Sequence, residues 1–242
     1  MKNNKKLNLA DIIIILILLI TTGVTFYYYP RLPRIIPTHF GISGKPDGWG
    51  AKSTLFMLGG LNLAIAVLMP LSQKIDPKKD NYARFQKVWD LFRVFITFML
   101  GALQMMMIMT AFDENSVDVG TTIMALIGVM FLLLGNYMPK VKHNYMFGIK
   151  TPWTIRDVRV WEKTHRMAGP IWAAIGLIII ASSFTPLWRS GNRTVVLAVF
   201  VGVMLIGAIV PMAYSYFLFN SLNTYHRGDG EAVISDEGEN LE

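Results

Sequence analysis

The sequence predicts an all-α, polytopic membrane protein that forms a bundle of six transmembrane helices. Six apolar runs lie within only 242 residues, and each is close to the length of about 20 residues that a helix needs to cross a bilayer. The runs are Ile12–Tyr29, Leu55–Met69 with an extension to Leu71, Leu91–Phe112, Thr121–Met138, Pro170–Leu187 and Val195–Phe219. Hydrophobic residues make up 53% of the chain and charged residues only 16%, and the charged residues cluster between the runs. Because no water reaches the backbone inside a bilayer, runs of this kind favour helices over strands.

The connection after the first run is predicted to be a short ordered extracytoplasmic loop. Its three prolines, which fix φ and keep the preceding residues extended, are Pro30, Pro33 and Pro37. Leu32–Phe40 is therefore not expected to be helical, and Pro46–Gly48 is typical of a turn. Trp49 either anchors the second helix at the membrane interface or belongs to a contact surface for an extracellular ligand. The residues predicted to face such a ligand are His39, Phe40, Asp47, Trp49 and Lys52.

The distribution of basic residues predicts that both termini are cytoplasmic. The amino terminus, the second connection and the fourth connection hold three, five and seven Lys or Arg residues, whereas the first, third and fifth hold four, none and two. Connections rich in Lys and Arg stay on the cytoplasmic side of a membrane. The net charge of +7 then reflects topology and contact with anionic lipid. Direct nucleic-acid binding is not expected, because the charge is spread over several loops and has no helix-turn-helix pattern.

The apolar runs carry few chemically active groups. Asp11, Asp90 and Arg93 are placed at the ends of runs, and an ionised group at mid-bilayer is retained only for a purpose. This pattern argues against an ion-coupled transporter and leaves a passive pore or exporter open. The chain has no cysteine, and its four histidines are far apart in sequence and follow no metal-binding spacing. We therefore predict no cofactor, no metal site and no catalytic group.

The fourth connection, Gly135–Gly169, predicts an amphipathic helix on the cytoplasmic surface of the membrane. Thr151 and Pro152 supply an N-cap followed by proline at the first helical position. From there an apolar stripe consists of Ile155, Val158, Trp161, His165 and Ala168. A neighbouring basic stripe consists of Arg156, Arg159, Lys163 and Arg166. Two such faces are typical of a helix lying in the interface, with Trp153 and Trp161 at headgroup level.

This connection also carries a motif that resembles a known family. The motif consists of Gly135-Asn136, His143-Asn144, Gly148 to Thr154, Val160-Trp161, His165-Arg166 and Gly169. It is similar to the signature of the SdpI family, which is named for an immunity protein against a sporulation-delay toxin. The first loop, with Pro37 to Phe40, Gly44, Pro46 to Gly50 and Lys52, resembles the uncharacterised domain that often precedes the SdpI region.

The resemblance implies a non-enzymatic protein of the bacterial cell membrane that protects its host from a peptide toxin. It further implies a signalling role, in which a cytoplasmic transcriptional repressor is held at the membrane. The residues assigned to a cytoplasmic partner are Asn136, His143, Asn144, Lys150, Trp153, Arg156, Arg159, Trp161, Lys163, His165 and Arg166. The alternative function is a passive transporter or exporter. For most signature residues an architectural role is equally open, but Asn136 and Asn144 are expected to be buried amides that need partners.

Three regions follow from these patterns. Residues 1–72 form an N-terminal helix pair with the proline- and glycine-rich extracytoplasmic loop, and residues 73–225 form an SdpI-like four-helix membrane region. Residues 226–242 are predicted to be an acidic, disordered tail, because they hold several carboxylates and few apolar side chains.

Overall fold

The computed structural model describes residues 7–41, 44–185 and 193–238. Its helices are α1 (Leu9–Tyr28), α2 (Thr54–Ile75), α3 (Gln86–Phe112), α4 (Val119–Tyr137), α5 (Pro152–Arg156), α6 (Val158–Ser183) and α7 (Arg193–Gly238). Short 3₁₀ turns cover Tyr29–Arg31, Lys79–Arg84 and Met138–Lys140. Within the described residues, six helices are long and apolar enough to cross a membrane. The predicted class, a multi-pass membrane protein with six spans, is confirmed.

The long helices form two groups of three. In the first group α1 packs against α2 and α3, and in the second group α6 packs against both α4 and α7. The loop between α1 and α2 lies at one end of the bundle, which we call the hairpin end. The α2–α3 connection and the α4–α6 connection lie at the other end, which we call the basic end because it carries most of the Lys and Arg residues.

The loop at the hairpin end is an antiparallel β-hairpin, so the all-α bundle includes one small sheet. Strand β1 (Ile35–Phe40) pairs with β2 (Pro46–Ala51), with Ile36 opposite Gly50. Leu32–Phe40 is not helical, as the prolines predicted. The turn prediction was wrong, because Pro46–Gly48 lies in β2 and the chain reverses before it. Gly44 has a φ of +73° there, a backbone conformation that favours glycine.

The tip of the hairpin rests on the second helix group. A Cβ atom placed on Gly44 would lie only 2.8 Å from the backbone nitrogen of Gly120 at the start of α4. The hairpin is held at its base by Lys52, whose ammonium donates to the carbonyl oxygens of Tyr29 (2.9 Å) and Leu32 (3.1 Å). The loop is therefore ordered, as predicted, and it connects the two groups at this end.

Helices α4 and α6 approach each other along a line of small residues. A Cβ atom on Gly135 would lie 2.2 Å from the backbone nitrogen of Ala173, and one on Gly176 would lie 2.4 Å from that of Leu132. Backbones in membrane bundles come this close where small residues face each other. The signature glycine Gly135 therefore has a packing role within the second group.

The predicted amphipathic surface helix is wrong as a separate element. Its residues are divided between α5 and the first turns of α6, and the chain breaks at Asp157 (φ −131°, ψ 121°), whose carboxylate accepts the Arg159 N–H at 2.7 Å. Helix α6 is continuous from Val158, so the fifth span begins well before Pro170. The apolar stripe faces protein instead of lipid, because Trp161 and His165 are completely buried.

The last helix extends beyond its membrane span. The apolar part ends at Leu222, and the helical backbone continues to Gly238. The acidic composition predicts disorder from residue 226 onward, so residues 226–238 differ from this expectation in the structure. This stretch has no proline to stop the established helix, although Gly228 and Gly230 each disfavour a helix by roughly 0.5–1 kcal/mol. Residues 239–242 and the predicted end of the fifth span at Leu187 lie outside the described residues, and the three-region division remains a prediction.

Candidate functional site

The signature residues build a compact cap at the basic end. Residues 141–157, which we call the signature loop, wrap around the first turns of α6. The indole of Trp161 is fully buried and donates from Nε1 to the carbonyl oxygen of Val141 at 2.9 Å. The imidazole of His165 stacks on the same indole, with ring centroids 4.1 Å apart. This ring pair is the core of the cap.

Gly148 brings the loop backbone directly onto the ring pair. Its φ is +129°, and a Cβ atom there would lie 2.6 Å from His165 Nε2 and 2.9 Å from the edge of Trp161. The next residue, Ile149, donates its N–H to His165 Nε2 at 3.0 Å, and His165 Nδ1 donates to the carbonyl oxygen of Trp161 at 2.8 Å. An Nε2 atom that accepts from a backbone N–H carries no proton, so the ring is the neutral Nδ1–H tautomer.

Asn144 holds the loop in shape from inside. Its side-chain oxygen accepts the N–H groups of Met146 (2.9 Å) and Phe147 (2.7 Å), and its amide nitrogen donates to the carbonyl oxygens of Lys142 and Phe147, both at 2.8 Å. The expectation of a buried amide with partners is confirmed for Asn144, which is completely buried. It is wrong for Asn136, which is exposed near the end of α4.

The cap is bonded to the α2–α3 connection, and so to the first helix group. The carboxylate of Asp76 is buried and accepts both the Tyr145 N–H and the Tyr82 hydroxyl at 2.9 Å. Burial, together with the bond to Asp76, raises the pKa of Tyr82 well above its usual range, so the phenol stays a donor. Asn81 adds a bond of 2.7 Å to the carbonyl oxygen of His143.

The other end of the signature loop is fixed to α7. Thr151 and Thr154 form the predicted cap of α5, in which the hydroxyl of Thr151 accepts the Thr154 N–H at 3.1 Å. The Thr151 hydroxyl is also 3.0 Å from that of Ser215 in α7. Trp153 is half-buried and packs against Tyr216 with ring centroids 5.0 Å apart. The loop therefore joins three parts of the bundle.

A comparison with known protein families finds a match in this region. Residues 140–215 fit the model of the SdpI/YfhL protein family. We refer to residues 140–215 as the SdpI/YfhL region. The family resemblance predicted from the sequence is confirmed, and residues 16–63 fit a second model, described as a domain of unknown function (DUF1648). That match covers most of α1, the hairpin and the first half of α2.

A curated relative is similar to part of the chain. It is the "Immunity protein SdpI" of Bacillus subtilis (strain 168), which is 26% identical over 97 residues. The match covers 40% of this chain and 44% of that protein, so it spans less than half the length of the relative. No solved structure matches the chain.

The residues predicted to contact a cytoplasmic partner fall into two sets, buried and exposed. His143, Asn144, Trp161 and His165 are buried and hold the cap together, so they do not offer a partner a surface in this arrangement. The exposed members, besides the half-buried Trp153, are Asn136, Lys150, Arg156, Arg159, Lys163 and Arg166. Partner contact through these exposed side chains remains a prediction.

The exposed cations do not form one continuous stripe. Arg156 belongs to α5, and the break at Asp157 separates it from the cations of α6. Arg159 is paired with Asp157 at 2.8 Å. Glu162, which the helical spacing would pair with Arg166, instead contacts Lys142 at 2.9 Å. Lys163 and Arg166 share one exposed face of α6 and are the clearest basic surface of the SdpI/YfhL region.

The residues predicted to face an extracellular ligand lie on the hairpin. His39 and Asp47 are exposed and bonded to each other across the strands, and Trp49 is 55% exposed. Phe40 lines a cavity of about 190 Å³ between the hairpin tip and the start of α4. Lys52 is half-buried and bonds to backbone carbonyls, so the structure gives it a structural role.

The contacts of Arg93 were not predicted, although the sequence analysis placed Arg93 at the end of an apolar run. The guanidinium of Arg93 is 8% exposed, and it contacts Asp11 of α1 at 2.6 Å and Asp90 at 2.8 Å. It lines a cleft of about 800 Å³ at the basic end of the first helix group. These charges lie near the ends of α1 and α3, as the sequence analysis placed them, and they form a buried ionic network there. Among the described residues, no three His, Asp or Glu side chains lie close enough to hold a metal ion.

His143 should make the cap sensitive to acid. Burial lowers the pKa of His143 below its usual value, with a smaller effect of Lys78, and no group among the described residues hydrogen-bonds its Nε2 atom. A lowered pKa in the folded state means that the unfolded chain takes up the proton first as the pH falls. Stability is then complete above about pH 6.5 and decreases below it. We expect the melting temperature in detergent to fall between pH 7 and pH 5.

His143→Gln should reduce this slope, since it removes the titrating group. An equal slope in the parent protein and in His143→Gln would contradict the assignment to His143.

Proposed function

We propose that this chain is a membrane-embedded immunity protein that protects its host from a membrane-active peptide toxin. The observation that carries the proposal is the similarity to an immunity protein over 97 residues. The family match at residues 140–215 coincides with the cap and with the helices that hold it. A shared fold alone does not determine function. Here, however, the matched residues include those that build the cap.

In this proposal the hairpin end faces outward and meets the toxin, and the basic end faces the cytoplasm. The basic end carries the larger share of Lys and Arg, as the positive-inside rule requires of a cytoplasmic face. The hairpin presents exposed apolar side chains, including Ile35 (64% exposed) and Trp49, as would suit a surface that contacts an amphipathic peptide at the membrane boundary.

The same arrangement supports a signalling role, in which a cytoplasmic repressor is held at the basic end. The hairpin tip touches α4, and the signature loop is bonded to both helix groups through Asp76 and Ser215. A relative movement of the two helix groups at one end would therefore change the contacts between them at the other end. Such coupling requires two arrangements of the bundle with different affinities for each ligand.

The immunity proposal is tested by expressing the chain in a sensitive bacterium that lacks it. Cells challenged with a panel of membrane-active peptides should survive higher concentrations of at least one of them. Identical killing curves with and without the protein across the whole panel would reject the proposal. Membrane fractionation of the same cells confirms that the protein is present.

The signalling proposal predicts a result for the basic surface of α6. Lys163→Glu combined with Arg166→Glu should leave membrane insertion intact, because both side chains are exposed. It should reduce recruitment of the fluorescently tagged repressor that this proposal invokes by at least about tenfold through charge repulsion. Lys78→Glu combined with Lys87→Glu is the control at the same end of the bundle, and recruitment should be retained. Unchanged recruitment by the α6 variant would remove this surface from the mechanism.

The second candidate function is a passive transporter or exporter. It is favoured by the cleft of about 800 Å³ and by the buried Arg93 guanidinium, which pairs with the partly exposed Asp11, since buried ionised groups often mark substrate pathways in membrane proteins. Substrate flux into liposomes that contain the purified protein would support it. Flux that is equal in protein-free liposomes, together with increased peptide tolerance in cells, would leave the immunity proposal standing alone.

A further inference from the structure

The cleft of about 800 Å³ at the basic end of the first helix group lies at a membrane boundary. Its lining includes Asp11 in the first turn of α1, Lys74 in the last turn of α2 and Gln86 at the start of α3. All three helices are long and apolar enough to cross a membrane, so the level at which these ends meet is that of the lipid headgroups. Clefts of about 300–1,000 Å³ hold small ligands, and this one has room for a headgroup.

The innermost polar groups of the cleft bond to one another. The guanidinium of Arg93 is 8% exposed and donates to Asp11 and Asp90. The carboxylate of Asp90 also accepts from the side-chain amides of Asn8 and Gln86, both at 3.0 Å. This network holds the ends of α1 and α3 together. A ligand in the cleft therefore has to bind through the more exposed residues of the lining.

The lining carries three exposed charged residues, Lys74, Lys79 and Asp80. Among the described residues, none of the three forms an ion pair. A lysine ammonium donates charge-assisted hydrogen bonds to a phosphate, and a carboxylate accepts them from an ammonium. The cleft therefore offers a partner to each charge of a zwitterionic ligand.

Apolar side chains beside Lys74 favour a lipid over a soluble ligand. Leu71 and Val67 precede Lys74 by three and seven residues, so they lie on the same face of α2, and they are 44% and 50% exposed. Ile75, the next residue along the chain, is 74% exposed. Acyl chains attached to a headgroup at Lys74 would run along these side chains into the bilayer.

We propose that this cleft binds the headgroup of phosphatidylethanolamine, with the phosphate on Lys74 and Lys79 and the ammonium on Asp80. A phosphatidylcholine headgroup has the same net charge but no N–H group, so it cannot donate to Asp80. A phosphatidylglycerol headgroup has no ammonium at all. The inference goes beyond the immunity function and does not depend on it.

The test is native mass spectrometry of the full-length protein, released from detergent micelles that contain equal amounts of the three phospholipids with identical acyl chains. The parent protein should retain at least about threefold more phosphatidylethanolamine than either of the others, as expected for an additional exposed charge pair. Equal retention of all three would overturn the proposal. A preference for phosphatidylglycerol would also overturn it, because that result indicates a merely basic surface.

Two sets of variants separate the two charges of the headgroup. Lys74→Gln combined with Lys79→Gln should lower the retention of phosphatidylethanolamine at least about threefold. Lys78→Gln combined with Lys87→Gln is the matched control, because it removes the same charge from exposed residues outside the lining, and retention should be unchanged. Asp80→Asn should abolish the preference over phosphatidylcholine. Equal losses in the two lysine variants, or a preference that Asp80→Asn keeps, would contradict the assignment.

A variant without a charge change and a soluble probe complete the test. Ala83 is an exposed residue of the lining, and Ala83→Phe narrows the cleft, so retention should fall. Undiminished retention by this variant, with the melting temperature of the parent protein in the same detergent, would place the lipid elsewhere and overturn the proposal. Glycerophosphoethanolamine, the same headgroup without acyl chains, should not displace the lipid at equal concentration. Displacement would assign the cleft to a soluble ligand and reject the lipid.

Discussion

Gly135→Ala should destabilise the protein by about 3 kcal/mol, the upper end of the cost of overpacking a tight core. The added methyl group would lie 2.2 Å from the backbone nitrogen of Ala173. A backbone nitrogen cannot rotate away as a flexible side chain can, so α4 and α6 would have to separate along their whole contact. That contact holds the second helix group together, and the signature loop connects these two helices.

The measurement is the thermal unfolding midpoint in detergent, together with the yield of folded protein from membranes. Gly202→Ala is the control, because a Cβ atom there meets nothing within 4 Å and alanine favours a helix over glycine by roughly 0.5–1 kcal/mol. The two substitutions should therefore move the midpoint in opposite directions. Equal midpoints would show that the close approach of α4 and α6 does not support the fold.

The sequence could predict the spans because membrane insertion depends mainly on local hydropathy. The fourth run, Thr121–Met138, differs from helix α4 (Val119–Tyr137) by no more than two residues at each end. The fifth run was placed too late because its helix starts with an amphipathic stretch. An apolar stripe flanked by cations looks the same whether it faces lipid or protein, and only the tertiary contacts of Trp161 and His165 decide between them.

The contacts that assemble the site could not be predicted from the sequence, for a different reason. Arg93 lies near the end of an apolar run, but its partner Asp11 is 82 positions away. Asp76 and Tyr145 are likewise 69 positions apart. Such pairs depend on how the helices pack, and a local sequence pattern cannot predict them. One signal was available: Gly128 and Gly135, like Gly169 and Gly176, are seven residues apart on one helix face, which is typical of a close helix contact.

The two tryptophans of the signature show that residue type alone does not determine where a side chain lies. Both were expected at headgroup level, since tryptophan favours that depth. Trp153 is half-buried beside Tyr216, whereas Trp161 is completely enclosed by the signature loop. The two side chains should therefore respond very differently to the same substitution.

Trp161→Ala should destabilise the protein by about 3–5 kcal/mol, the usual cost of emptying a site filled by a large aromatic side chain. His165 would lose its stacking partner, and the carbonyl oxygen of Val141 would lose the indole donor. Trp153→Ala should cost less than about 1 kcal/mol, because part of that ring is already exposed. Thermal unfolding in detergent gives both values, and membrane fractionation checks that the variants are still inserted.

The same pair separates two explanations of the signature. If the cap carries the immunity function, Trp161→Ala should abolish peptide tolerance, and Trp161→Phe should restore part of it by refilling the site with an aromatic ring. If the two tryptophans act as membrane anchors, their alanine variants should lose stability and tolerance to a similar degree. That outcome would contradict the buried packing of Trp161 against His165 and Gly148, from which the architecture of the basic end is derived.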